Sequence, residues 1–345
     1  MKAMMFTGPE SLVLREIEKP QCGNAGILVR VEACGICGSD IRNYHTGLRG
    51  DVTEQIMGHE IAGVVEEVGD SVKSFSVGDH VAIAPDVSCG KCFYCHRGLV
   101  NLCTDHRMIG THWPGGFAQY VYLNEVVLAR GMVHHMPEEL GFSEATIAEP
   151  AASVLAAQAN ANITLGDTVV VIGDGPIGCL HLEIARVRGS SRVIMVGLHR
   201  LALASQFDPD HIIDAADQDP VKEVLKLTDG LGADVIIVAN SVAETQQQAV
   251  EMARKRGKII LFGGLPKNQP MTELNSNLIH YNELRVMGTF SYPAIMHQMA
   301  LELIAKGKIQ ADKYITETIP LESIAQGISW AMAGKALKIV ITPWA

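Results

Sequence analysis

Short apolar and β-branched runs broken by glycine dominate the first 150 positions. Ile27 to Ala33, Glu60 to Val68 and His80 to Ala84 have strand length and strand patterning, and Val77-Gly78-Asp79 has turn chemistry between the last two. From about residue 151 the rhythm changes. Thr168 to Ile172, Arg192 to Val196, Asp234 to Ala239 and Lys258 to Phe262 are apolar runs of the kind buried on both faces of a parallel sheet. Between them lie helix-length stretches such as Ile177 to Val187 and Ala243 to Ala253, which gives a βαβ alternation. After about Phe290 a helical stretch, Ala294 to Lys306, stops at Gly307, and a last strand runs from Lys338 to Thr342. The pattern predicts an α/β protein of two domains: a β-rich one formed by residues 1–150 and 291–345, and a doubly wound one over 151–290.

Composition narrows the class. With 345 residues the chain is long enough for two cores, and 48% hydrophobic against 19% charged residues excludes a mainly disordered protein. The net charge of −10, from 28 Lys+Arg and 38 Asp+Glu, speaks against a nucleic-acid partner, whose electrostatic footprint is basic. No uncharged apolar run reaches the roughly 18 residues of a spanning helix, so no membrane partner is expected. Met1-Lys2-Ala3-Met4-Met5-Phe6-Thr7 lacks the apolar core of a signal peptide, which predicts a cytoplasmic location. In that reducing compartment the eight cysteines, at 22, 34, 37, 89, 92, 95, 103 and 179, are better metal ligands than disulfides.

Four of them fall in one loop. Cys89, Cys92, Cys95 and Cys103, with Gly90 and Gly98 among them, have the short spacing of a tetrahedral zinc site with bonds of about 2.3 Å. Four protein ligands leave no open position, so this zinc is expected to be structural.

Other candidates are weak singly. Cys34 and Cys37 also fit a redox pair, His59 a satisfied core histidine, and Glu149 a carboxylate at a helix start. The glycine motif has a clearer context: Gly173-Asp174-Gly175-Pro176-Ile177-Gly178 follows a strand and opens a helix, as the dinucleotide fingerprint requires. Gly173, Gly175 and Gly178, with Pro176 and Ile177, would set the pyrophosphate on the helix N-terminus. At the end of the second strand an NAD site offers an acid to the ribose. Here Val196-Gly197-Leu198-His199-Arg200 has none: Gly197 makes room for a 2′-phosphate that His199 and Arg200 can pair with, so NADP is expected over NAD.

As an ordered set, Gly58-His59-Glu60, the four-cysteine loop, Gly115-Gly116-Phe117-Ala118-Gln119-Tyr120 and the glycine motif resemble the zinc-dependent medium-chain dehydrogenase/reductase family, which includes alcohol, sorbitol and threonine dehydrogenases. The resemblance runs over nearly the whole chain. It implies a GroES-like catalytic domain, a Rossmann cofactor domain, two zincs per chain and a homodimer or homotetramer. It also implies hydride transfer between a secondary alcohol or ketone (a polyol, a sugar derivative, L-threonine or a simple alcohol) and NAD(P). Cys37 and His59 become catalytic zinc ligands, with Glu149 as a third or water-mediated one and Glu60 as a carboxylate that exchanges with water. Cys37 and Glu149 would neutralise Zn²⁺, whereas adding Glu60 gives a negative site. Ser39 corresponds to the hydroxyl that passes the alcohol proton on, and Asp40 to the carboxylate that orients the histidine.

The chain also departs from that pattern. Arg42 stands where many members have a relay histidine, so His45, water or Ser39 alone must complete the relay. Gly288-Thr289-Phe290-Ser291-Tyr292 has Ser291 where polyol dehydrogenases often have arginine, which lowers the weight on a sugar alcohol. A zinc-binding scaffold of the same fold without turnover is the alternative of a different class.

Overall fold

The structure is a computed structural model, and it describes residues 1–48, 50 and 52–345. The chain forms two compact units, Met1–Ala152 with Ser291–Ala345, and Ser153–Phe290.

The first unit is built on a seven-stranded sheet in which Ile27–Gly35 is central. This strand carries Ile27, Leu28, Val29 and Val31 without solvent exposure, so it needs neighbours on both edges and cover on both faces. It pairs antiparallel with Glu60–Val68 on one side, and its end pairs with Lys338–Thr342 on the other. Gly35 thereby stands opposite both Glu60 and Val340. Three segments far apart in sequence meet at one point, and the helix Gly38–Thr46 begins just beyond it, capped by Cys37 in an extended conformation. A separate three-stranded sheet joins Lys2–Gly8, Ser11–Glu16 and Gln55–Ile56.

The second unit is a six-stranded, wholly parallel sheet in the order His211–Asp214, Arg192–Gly197, Thr168–Ile172, Ala233–Val238, Ala253–Leu261, Arg285–Gly288. The first strand in sequence lies inside the sheet, and the order reverses beside it, which is where doubly wound sheets bind ligands. The helix Pro176–Val187 opens at that strand's carboxyl end with proline in its first turn. The α/β class, with a β-rich part and a doubly wound part, is the one the apolar pattern predicts.

One boundary differs. The strand predicted from Lys258 begins at Ala253, directly after the helix Ala243–Met252, because its polar opening Arg254-Lys255-Arg256 carries no apolar signal. Pairing of Ala253 with Ala233, with a register shift before Val235, extends the ladder there. Among the described residues no helix is long and apolar enough to cross a membrane.

Candidate active site and metal centres

The N-cap of Gly38–Thr46 fixes the first donor. The backbone N–H of Cys37 donates to Asp40 Oδ2 at 3.0 Å, while Asp40 Oδ1 faces His59 Nδ1 at 3.2 Å. One buried carboxylate therefore ties the helix start to the imidazole. Burial opposes charge on His59, but Asp40 and Cys37 together outweigh it and hold the imidazole pKa well above its ordinary value, so a metal ion at this ring would displace a proton. With Nδ1 engaged, Nε2 is left to coordinate, and Ser39 Oγ lies 3.3 Å from it.

Cys37, His59 and Glu60 bring one donor atom each within 4.8 Å of one another. A thiolate, an imidazole and a carboxylate with a further position open are the donor set of a catalytic zinc site. Glu149 does not fall within this group; its Oε1 accepts the Tyr292 hydroxyl at 3.1 Å. Burial, reinforced by Glu60 and Asp86 against the opposing effect of His59, lifts the Glu149 carboxyl to about 7.

Lys338 changes the charge balance derived from sequence. Its ammonium donates to both oxygens of Glu60, at 2.6 and 2.7 Å, and to the Ile36 carbonyl at 3.3 Å. Glu60 is 0% and Lys338 4% exposed. Burial alone would lower the lysine pKa, yet Glu60 raises it above the usual value, so the pair is ionic. Glu60 thus carries its own countercharge, which removes the electrostatic objection to its standing beside the metal.

The proton-relay alternatives separate. His45 is engaged through Nδ1 with Glu10 and through Nε2 with Met332 Sδ at 3.0 Å, whereas Arg42 is exposed. Ser39 is the hydroxyl that lies against His59. At the departure from the arginine-tyrosine pattern, the Ser291 hydroxyl donates to Asp86, which also holds His106 Nε2 at 2.9 Å. Burial disfavours the Asp86 charge, but His106 and Ser291 hold its pKa below the usual carboxylate value.

The four-cysteine loop closes on itself. Sγ of Cys92 lies 3.5 Å from that of Cys95 and 3.9 Å from that of Cys103, and Cys89 lies 4.0 Å from Cys95. These separations match four ligands around one ion with bonds of about 2.3 Å. Backbone N–H groups at Cys95 and Thr104 bring the Cys92 thiol down to about 5, so a thiolate is present at neutral pH. Burial pushes Cys103 up to about 12, and a bound cation would have to offset that cost.

In the second unit a cavity of about 470 Å³ is lined by Gly173, Asp174, Gly175, Gly197, His199 and Arg200, among others. A Cβ on Gly178 would sit 1.7 Å from the Gly173 carbonyl oxygen, so only glycine lets the helix approach the turn. Pro176 and Ile177 form the helix's first turn. Gly175 opens to space, the nearest atom to its would-be Cβ being Arg200 Nη1 at 4.0 Å. An open glycine at a helix N-terminus, with a guanidinium beside it, fits a dinucleotide phosphate.

Fold and donor set define a zinc-binding dehydrogenase with a dinucleotide domain, and the chain belongs to the zinc-dependent medium-chain dehydrogenase/reductase family. Residues 23–138 match the alcohol dehydrogenase GroES-like domain and residues 176–306 the zinc-binding dehydrogenase domain. The chain is 33% identical to a sorbitol dehydrogenase of Halalkalibacterium halodurans, covering 99% of each chain. It is 33% identical to a D-arabitol-phosphate dehydrogenase of Enterococcus avium, over 97% of this chain and 94% of that one. A zinc-binding dehydrogenase from Sinorhizobium meliloti 1021, solved bound to NADP, superposes with a TM-score of 0.93 at 32% identity, covering 99% of both chains. The protein is a zinc-dependent, NAD(P)-linked oxidoreductase.

Two residues of these sites escape sequence reasoning. Lys338 heads an apolar strand, where a lysine ordinarily marks a solvated end, and nothing local shows that it is buried. Asp174 carried a signal: an acid inside a loop that must receive pyrophosphate opposes the ligand's charge and calls for a structural use.

Proposed function

We propose that the chain interconverts a secondary hydroxyl of a polyol or sugar derivative and the corresponding ketone, with NADP preferred over NAD. The observation that carries the reading is the open donor set Cys37, His59 and Glu60, its imidazole fixed by Asp40. Relatives named sorbitol and D-arabitol-phosphate dehydrogenases support a polyol, despite Ser291 at the arginine position. When bound, the catalytic zinc would supply Lewis acidity at the substrate oxygen and the nicotinamide would accept the hydride.

The chain's own residues supply the rest. Cys37, His59 and Glu60 would hold the metal; Glu149, bound to Tyr292, stands as a water-mediated ligand; Lys338 holds Glu60 in place. Ser39 takes the proton from the substrate hydroxyl and passes it outward to water, since His45 is committed to Glu10. Cys89, Cys92, Cys95 and Cys103 would hold a second, structural zinc, which makes two per chain. Gly173, Gly175, Pro176, Ile177 and Gly178 seat the pyrophosphate, and His199 and Arg200 receive the 2′-phosphate; the room that sequence assigns to the phosphate at Gly197 is filled by Asp174 and Leu201. The family resemblance supports a homodimer or homotetramer.

A panel of polyols, simple alcohols and L-threonine, assayed with NADP and NAD for the wild type and Arg200→Ala, tests the reading. The wild type should oxidise polyols best and prefer NADP, and Arg200→Ala should lose about 10- to 100-fold in kcat/KM with NADP while changing little with NAD, as expected for loss of a charge-assisted phosphate contact. Preference for NAD in both proteins would overturn the cofactor assignment; activity confined to simple alcohols or threonine would overturn the substrate.

A further inference from the structure

The acid in the glycine motif has a use outside the motif. Asp174 Oδ2 accepts three consecutive backbone N–H groups of the loop after the second strand, from Leu198 at 2.9 Å, His199 at 2.7 Å and Arg200 at 2.6 Å. Successive N–H groups converging on one point form an anion-binding nest. Here the anion is the protein's own carboxylate, and Asp174 is 7% exposed. Gly197 makes this possible: a Cβ there would stand 2.6 Å from Asp174 Cβ and 2.8 Å from its Cγ. Gly197 and Asp174 therefore act as one device. The volume that a side chain at the end of the second strand would fill is taken by Asp174, reaching across from the glycine loop, together with Leu201, whose Cδ2 would stand 2.4 Å from the same Cβ.

Two consequences follow for the cavity. Donors turned onto Asp174 are withdrawn from the cofactor, so a 2′-phosphate must be read by side chains rather than by that backbone nest. Those side chains belong to the loop that Asp174 anchors, and Arg200 Nη1 already reaches the space beside Gly175. We propose that Asp174 is a positioning residue for cofactor choice: its grip on the Leu198–Arg200 backbone holds His199 and Arg200 where the 2′-phosphate binds. This rests on the NADP reading above and adds to it the residue that sets the loop.

Equilibrium titration of nicotinamide fluorescence with NADPH and NADH, on the wild type, Asp174→Ala and Asp174→Asn, tests it without turnover. Asp174→Ala should raise the Kd for NADPH about tenfold or more and that for NADH less than about threefold, whereas Asp174→Asn, which keeps an acceptor oxygen, should stay within about threefold of wild type for both. A wild type that prefers NADPH together with an Asp174→Ala protein that keeps the same preference would overturn the role of Asp174 alone. Equal weakening of both cofactors would also overturn it, because Asp174 would then serve the adenosine ribose or the loop in general. Tighter NADPH binding by Asp174→Asn would identify the carboxylate as a repulsive element and likewise contradict the proposal; this arm decides the matter if Asp174→Ala does not fold. A wild type that binds NADH as tightly as NADPH would instead overturn the NADP reading itself.

Discussion

Replacing His59 with alanine should lower kcat/KM by at least about 10³-fold on every productive substrate, since metal polarisation of a reacting oxygen contributes several kcal/mol and each 1.36 kcal/mol is tenfold in rate. The expectation comes from how the imidazole is held. His59 is 4% exposed, its Nδ1 is engaged by Asp40, and Nε2 is the nitrogen left to act as the ring's donor in the group with Cys37 and Glu60. Alanine removes one donor of three and leaves Asp40 Oδ1 without its imidazole partner. The variant should consequently bind one zinc per chain, the four-cysteine ion being untouched. Steady-state kinetics with metal analysis of the same preparation checks both parts; near-normal turnover, or an unchanged zinc content, would contradict the assignment of His59.

The second large effect concerns stability. Lys338→Met should destabilise the fold by about 3–5 kcal/mol, the usual penalty for stripping one partner from a buried ion pair. Glu60 would then lie fully buried with no cation at 2.6 Å. A double variant, Glu60→Gln with Lys338→Met, removes the uncompensated charge and should recover much of the loss. Denaturant unfolding of metal-free wild type, single and double variants measures the coupling. Equal midpoints for wild type and Lys338→Met would show that the pair contributes nothing.

Much of this architecture was legible in the sequence because its signals are local. Four cysteines within 15 positions, and a glycine motif between a strand and a helix, need no tertiary information. Parallel strands such as Thr168–Ile172 announce themselves because burial on both faces demands an uninterrupted apolar run. What stayed hidden depends on which strand lies beside which. Lys338 reaches Glu60 only because the last strand pairs with Ile27–Gly35, an adjacency set by register over some 300 positions and not by any pattern within either segment. Counting charges along the sequence therefore favoured Glu149 over Glu60, whereas the structure groups Glu60 with Cys37 and His59 and engages Glu149 with Tyr292. Asp174 is an intermediate case: its position in the motif was visible, but not the three N–H groups that use its charge.

We propose that this chain carries a structural zinc and a separate, exchangeable zinc on which turnover depends. Graded chelation of the purified protein, with zinc counted by mass spectrometry and polyol oxidation assayed in the same samples, addresses it most directly. Two zincs per chain are predicted at the outset; activity should fall in step with loss of the first ion and return when zinc is added back, while the fold persists. One zinc per chain with no activity on any alcohol, or turnover that survives complete removal of zinc, would contradict the account.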